Sequence, residues 1–328
     1  MNPLLEIRDL TISFPTPAGM GSTSIPVSHV NLVIARGETL ALVGESGSGK
    51  SLTGLALLGL VPFPGKVDPQ SSIRLDGQEI VGLQGEALRM IRGRRIGIVF
   101  QDALTSLTPV LTIGSQLREA ITAHRKEGKA AARDAALALL REVGLPDPAA
   151  SYAAYPHELS GGQRQRALIA IALAGEPDLL IADEATTALD VTIQAQVLET
   201  LDRLRASRGM AVLLITHDLG IVAGRADWVA VMYAGQIVET APTAKLFAAP
   251  AHPYTRALFR AIPRLESAAD ALTPIPGNVP LPDEWTAGCR FQPRCAEALS
   301  KCATLEPPVV PLAPGETSRC WLSAKDGS

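Results

Sequence analysis

The sequence predicts an α/β protein built around a parallel sheet, and three observations carry that prediction. Short apolar runs alternate with helical segments between residues 179 and 237. A glycine-rich loop ending in Lys50-Ser51 follows another apolar run, residues 39–43. Two carboxylates, Asp183-Glu184, close the run Leu179-Leu180-Ile181-Ala182. Continuous apolar runs are what strands covered on both faces look like, and parallel strands need crossover helices between them.

The elements follow in order. Residues 4–12, 28–34 and 73–75 read as β, the last running into the turn dipeptide Asp76-Gly77, so the chain opens with an antiparallel β section. From about Gln101 to Ala174 the pattern turns helical. Ala136, Leu139, Leu140 and Val143 fall at i, i+3, i+4 and i+7, and Gly144 stands where a helix-ending glycine would. Residues 179–182 and 212–216 are buried strands, with a helix through Ile193, Val197, Leu201 and Leu204 between them. Beyond about residue 250 prolines become dense, periodicity is lost, and all four cysteines occur there. A boundary falls near residues 249–252, with an irregular tail after it.

The 328 residues, 47% of them hydrophobic, can bury a sizeable core and hold one large domain with a smaller one, or two domains. Thirty basic residues against 33 acidic ones give a net charge of −3, and the basic residues are scattered. That balance argues against a nucleic-acid partner held by phosphate neutralisation. The longest apolar stretch, residues 52–63, holds two glycines and a proline and is too short to span a bilayer. The first six residues lack a basic region followed by an apolar one, so the cytosol is the expected compartment. A membrane role would run through a partner that spans.

Gly44-Glu45-Ser46-Gly47-Ser48-Gly49-Lys50-Ser51 is G-x-x-x-x-G-K-S between an apolar strand and an apolar helix. Glycines let successive backbone N–H groups turn around phosphate oxygens, and the helix N-terminus adds partial positive charge. Lys50 is expected to reach the β- and γ-phosphates of a nucleotide and Ser51 to offer its hydroxyl to Mg²⁺. Asp183 and Glu184 arrive at the carboxyl edge of the sheet, where α/β sites lie. Asp183 is expected to hold Mg²⁺ and Glu184 to polarise the attacking water. Leu159-Ser160-Gly161-Gly162-Gln163 reads as a capping box that also offers bare N–H groups to an anion. Because the chain already owns a phosphate loop, that anion is expected to be a nucleotide held by another subunit. His217 follows the strand 212–216, where it could bond a γ-phosphate oxygen or serve structure alone.

The ordered set of residues 44–51, Gln101 in Phe100-Gln101-Asp102, 159–163, 179–184, Ala188-Leu189-Asp190 and His217 resembles the ATP-binding subunit of an ABC transporter over residues 4–245. The fold this implies is a P-loop ABC-type ATPase core with an N-terminal antiparallel β subdomain and a helical signature subdomain, here about residues 102–174, inside a nucleotide-binding domain of residues 1–250. The resemblance implies a head-to-tail sandwich in which each ATP lies between one phosphate loop and the other chain's Ser160, Gly161, Gly162 and Gln163. It implies that Phe14 stacks on adenine, although a core phenylalanine is the other reading. Gln101 would touch Mg²⁺, sense the γ-phosphate and face the membrane partner, and Asp190 would sit at the dimer seam.

The tail narrows the resemblance. His252-Pro253-Tyr254-Thr255-Arg256-Ala257-Leu258 and Gly288-Cys289-Arg290-Phe291-Gln292-Pro293-Arg294-Cys295 are similar to the C-terminal extension of dipeptide and oligopeptide importer ATPases, here residues 251–328. That resemblance implies a paralogous F-type ATPase partner, two transmembrane permease subunits, an extracytoplasmic peptide-binding protein, and a peripheral place on the cytoplasmic face of the inner membrane. Ala185 and Ala103 stand where such chains usually carry proline, and Thr108 where asparagine is frequent. No carboxylate is lost, so hydrolysis is still expected. Other cargo, such as nickel or glutathione, fits the same motor; a soluble ABC ATPase acting on DNA or ribosomes would call for a basic face, a coiled-coil insert or paired cassettes.

Cys289, Cys295, Cys302 and Cys320 are spaced C-x5-C-x6-C-x17-C. In a cytosolic chain, clustered cysteines read better as thiolate ligands than as disulfides. Structural zinc favours closer pairs. A four-thiolate iron–sulfur cluster also fits, and the similarity of the tail implies one of the [4Fe–4S] type; zinc and free thiols are the alternatives. No ligand role is expected of His252.

Overall fold

The computed structural model describes residues 3–15, 23–186, 189–261 and 275–324. Its strands form two sheets. The first is antiparallel, pairing Leu5–Pro15 with Thr23–Ile34 on one side and Ser72–Leu75 on the other, followed by Gln78–Glu79. This is the expected opening β section, and its turn at Asp76-Gly77 has both residues at positive φ. Leu5, Ile7, Leu10 and Ile12 are buried, turning one face of this sheet onto the second.

The second sheet has eight strands in the order Val309–Ala313, Glu316–Arg319, Gln236–Pro242, Trp228–Tyr233, Thr39–Val43, Ala211–Thr216, Leu179–Asp183, Ile96–Val99. The last five run parallel. Every residue of Thr39–Val43, Leu179–Asp183 and Ala211–Thr216 is buried, which is why these strands read as unbroken apolar runs. Register decides where the chemistry lands. Val43 pairs with Thr216, Asp183 with Ile215, and Val99 with Ala182. The residues leaving those strands, Gly44, His217, Glu184 and Gln101, therefore emerge along one edge.

The helical region holds Ile113–His124, Lys129–Glu142, Pro148–Ala153 and Gly161–Ala172. Three of the four starts have a local cause: Thr112, Asp147 and Ser160 cap the first, third and fourth with their side chains, and Pro148 occupies the first turn of the third. Ala136, Leu139, Leu140 and Val143 all lie in the core, and Gly144 at φ +78° ends the helix they belong to.

The tail departs from the irregular segment expected. It carries a helix, Pro253–Arg260, and an antiparallel hairpin, Val309–Ala313 with Glu316–Arg319, whose second strand joins the main sheet at Glu239 and Thr240. The hairpin turns at Pro314-Gly315, with Gly315 at φ +79°. A strand of four or five residues containing Pro311 is too short to show a period, but it suits an edge position. No helix among the described residues is long and apolar enough to cross a membrane.

Candidate nucleotide site

The phosphate loop links Thr39–Val43 to the helix Lys50–Ala56. Gly44 lies against the neighbouring strand: a Cβ there would stand 2.1 Å from the Met232 carbonyl oxygen. Gly49, at φ +101°, would bring a Cβ to 2.8 Å from the Pro26 carbonyl oxygen. Both positions exclude side chains by backbone, so only glycine lets the loop close this tightly. Ser46 is exposed; Ser48 is buried, and its carbonyl accepts from Gly235 N–H at 2.9 Å.

Lys50 is 4% exposed, and its ammonium donates to the carbonyls of Gly44 and Glu45 at 2.8 and 2.9 Å. Burial pulls its pKa below the usual lysine value, while the charges of Glu184, Asp183 and Glu45 push the other way. Ser51 Oγ donates to Asp183 Oδ1 at 2.9 Å. Asp183 has its pKa raised by burial, with the Ser51 bond and Lys50 opposing. A buried carboxylate touching a hydroxyl beside a phosphate loop is a hard-oxygen pair of the sort Mg²⁺ takes.

Glu184 sits at φ +46°, a conformation side chains rarely adopt. Its N–H still bonds the Ile215 carbonyl, continuing the ladder, and its side chain is mostly buried, 14% exposed. Gln101 Nε2 donates to Glu184 Oε2 at 2.9 Å, and His217 Nδ1 lies 3.2 Å from Glu184 Oε1. Three residues far apart in sequence thus meet on one carboxylate. Lys50, Ser51, Gln101, Asp183, Glu184 and His217 are the sequence-predicted residues that the fold brings together.

The other predicted residues are held by contacts of their own. Ser160 caps the helix Gly161–Ala172 as the capping box predicts, Gln163 N–H donating to its Oγ and Ser160 N–H to Gln163 Oε1. Beside Gly161 and Gly162 lie Leu189 and Ile193. Asp190 caps the helix Val191–Arg208, accepting from Ile193 N–H at 2.9 Å. Ala188, which precedes it in the motif, lies outside the described residues. Phe14 is half-buried, packed on the core of the β section with its ring against Gly65.

Residues 27–187 match the ABC transporter family, and residues 238–302 match the C-terminal region of oligopeptide/dipeptide transporters. Over its whole length the chain is 46% identical to the oligopeptide transport ATP-binding protein AppD of Bacillus subtilis (strain 168), covering 99% of that protein. The chain belongs to the peptide-transporter ABC ATPases. The dipeptide transport ATP-binding protein DppD of Escherichia coli (strain K12) is 44% identical over 98% of both chains. Among solved structures, the ATP-binding cassette MJ0796, in a dimeric post-hydrolysis state bound to ADP and Pi, superposes with a TM-score of 0.63 at 28% identity, over 73% of this chain and 98% of that one. CbiO1 of Clostridium perfringens superposes at 0.64 with 25% identity, over 76% and 92%.

What reasoning on the sequence missed in this ABC ATPase is the ring of tail residues behind the phosphate loop. Glu45 does not turn its carboxylate to the lysine: Arg294 NH1 and NH2 donate to its two oxygens, each at 3.0 Å. Glu45 N–H donates to Tyr254 Oη at 3.0 Å. His252, of which no ligand role is expected, is 1% exposed and caps Pro253–Arg260, its Nδ1 accepting from Tyr254 N–H. Only the His-Pro pair at the start of that helix, with proline in its first turn, signalled any of this.

The four cysteines are free thiols that line one small apolar pocket with His252, Phe291 and Trp321. Burial pushes the Cys289 thiol up to about 11 and raises those of Cys295 and Cys320, with neighbouring cysteines adding to each rise. Among the described residues, no three or more His, Cys, Asp or Glu side chains form a group with metal-ligating geometry.

Proposed function

We propose that the chain is the ATP-hydrolysing subunit that powers import of di- and oligopeptides through a membrane ABC transporter, by nucleotide-driven closure of a cassette dimer. The observation that carries this reading is the meeting of Gln101, Glu184 and His217 beside the Ser51–Asp183 pair, in a chain similar over its full length to peptide transport ATP-binding proteins.

In this reading Lys50 and the amides of residues 46–49 grip the β- and γ-phosphates, and Phe14 stacks on adenine. Ser51, Asp183 and Gln101 would hold Mg²⁺, which neutralises phosphate charge when bound. Glu184 orients the attacking water and takes its proton at the carboxylate, while His217, held through Nδ1, turns Nε2 toward the γ-phosphate. Ser160, Gly161, Gly162 and Gln163 serve the nucleotide of a paralogous F-type ATPase, with Asp190 at the seam between the two. Val110 and Leu111, exposed beyond Gln101, suit an apolar contact with one of two permease subunits. A peptide-binding protein would deliver cargo on the far side, placing this chain peripherally on the cytoplasmic face of the inner membrane.

The same reading divides the chain into a nucleotide-binding part, residues 1–250, with a helical subdomain at about 102–174, and an extension, residues 251–328. Four thiols lining one apolar pocket are a donor set whose chemistry suits soft metal, and because burial raises the pKa of Cys289, Cys295 and Cys320, binding there would displace protons. Cys289, Cys295, Cys302 and Cys320 would hold a [4Fe–4S] cluster, or zinc, as a staple for the extension rather than an electron carrier.

The test is reconstitution with the partner ATPase and both permeases, reading phosphate release with and without a peptide-loaded binding protein. Peptide-dependent turnover well above that of the isolated chain is expected. High turnover by a strictly monomeric preparation, unchanged on dilution, would overturn the shared site. Stimulation by nickel or glutathione in place of peptide would overturn the cargo.

A further inference from the structure

The C-terminal extension touches the phosphate loop from behind at Glu45. Its N–H donates to Tyr254 Oη at 3.0 Å, its carbonyl accepts from Lys50 Nζ at 2.9 Å, and its carboxylate takes a two-pronged pair from Arg294 at 3.0 Å on each oxygen. The groups that hold Glu45 are themselves fixed. The Arg294 side chain is only 5% exposed, and its Nε donates to the Pro276 carbonyl at 2.8 Å. Tyr254 is fully buried, its ring 4.5 Å from that of Tyr233 and 5.3 Å from that of Phe291, centroid to centroid. A second route reaches the same loop. Arg290 NH1 donates to the Ala234 carbonyl at 2.6 Å, and the adjacent Gly235 N–H bonds the Ser48 carbonyl.

We propose that Arg294 and Tyr254 are positioning residues for nucleotide binding, setting the Glu45 peptide and through it the place of Lys50. The physical argument is one of degrees of freedom. A glycine-rich loop is free to turn its peptide units, and each unit facing the wrong way loses an amide for the phosphates. Glu45 has all three of its polar groups engaged, two of them by the extension, so its backbone cannot turn without breaking the bond to Tyr254 or the charge-assisted bond from Lys50, while the Arg294 pair holds the side chain in place. The anchors are rigid by design of type: a planar guanidinium with a forked grip, and a tyrosine packed between aromatic rings. Arg294 also stands next to Cys295, so order in the thiol pocket and order in the phosphate loop share a backbone.

The inference rests on the proposed ATPase reading, and the variants separate the two. In the assembled transporter, Tyr254→Phe removes one hydroxyl and keeps the ring. It should raise KM for MgATP about 3- to 10-fold, the worth of a single hydrogen bond, with kcat changed less than about two-fold once nucleotide orders the loop. Arg294→Gln should raise KM by about 10-fold or more, and Arg294→Lys should restore part of the loss, because charge returns without the fork. Glu45→Gln combined with Arg294→Gln should cost no more than the worse single change, as expected when both act through one pair. A merely structural role would lower the thermal midpoint and leave KM alone. KM within two-fold of wild type in both Tyr254→Phe and Arg294→Gln would overturn the proposal. So would additive losses in the double variant. Lys50→Ala is the control: it should abolish nucleotide binding, and binding retained there would sink the ATPase reading itself rather than the clamp.

Discussion

Replacing Glu184 by glutamine separates chemistry from structure. The side chain accepts from Gln101 Nε2 at 2.9 Å on one oxygen and meets His217 Nδ1 at 3.2 Å on the other. Glutamine has the same shape, so its oxygen can keep the Gln101 bond while its NH₂ donates to a neutral Nδ1 of His217. Two charge-assisted contacts become two neutral ones, and folding stability should change by about 1 kcal/mol or less. What an amide cannot do is take a proton from water. Loss of a positioned base costs about 10²- to 10⁴-fold, or about 2.7–5.5 kcal/mol of barrier. The assay is phosphate release by the assembled transporter at saturating MgATP, run beside equilibrium nucleotide binding and thermal unfolding. The expected pattern is intact binding, an unchanged midpoint and a rate down by at least 100-fold. Release within about three-fold of wild type would show that Glu184 is not the base. A collapse of binding together with the rate would show that the carboxylate holds the site's architecture instead.

The remaining outcomes follow from single contacts. Gly44→Ala should cost more than Gly47→Ala in thermal unfolding, because a Cβ at 44 meets the Met232 carbonyl at 2.1 Å while Gly47 has nothing within 4 Å and bears only the cost of φ +79°, about 1–2 kcal/mol. Equal losses would mean the loop can shift away from its neighbouring strand. Ser160→Asp should keep the helix cap, whereas Ser160→Ala should lose about 1 kcal/mol; only the aspartate, adding a negative charge where the partner's nucleotide is expected, should abolish coupled turnover while leaving stability intact. Full-length protein prepared without oxygen should hold about four iron and about four acid-labile sulfide per chain, falling sharply in Cys302→Ser. Zinc without sulfide would make the site structural zinc, and metal-free protein with an ordered tail would remove both metals.

The cassette was legible in the sequence because its signals are local. A glycine-rich loop after an apolar strand, a carboxylate pair at a strand end and a Ser-x-x-Gln cap each report a backbone conformation within a few residues, and Ser160 with Gln163 forms the box that this spacing predicts. What spacing could not give is which strand ends stand side by side. The register that sets Asp183 opposite Ile215 and Val99 opposite Ala182 is a property of the closed sheet, and it puts His217 and Gln101 on the same carboxylate. The strain at Glu184 has no sequence mark either: glutamate at φ +46° is a rare state that its neighbours impose.

The helix and hairpin of the tail lack a clear sequence signal for a different physical reason. Dense proline hides strand periodicity, and the hairpin at 309–319 is stable only because the strand Gln236–Pro242 offers a free edge for it to join. The chain is fastened as it leaves that strand. Glu239, 2% exposed, receives the Ala251 and His252 N–H groups on its two carboxylate oxygens at 2.7 and 2.9 Å. A buried carboxylate costs too much to keep unless it is bonded, and here the bonds fix where the extension begins. From that point His252 caps the helix that carries Tyr254, and Tyr254 reaches the phosphate loop. The edge that admits the hairpin, the carboxylate that turns the chain and the tyrosine that meets Glu45 therefore form one continuous connection. On the proposal that Arg294 and Tyr254 position the loop, this connection is what would couple folding of the extension onto the sheet to the geometry of the nucleotide loop.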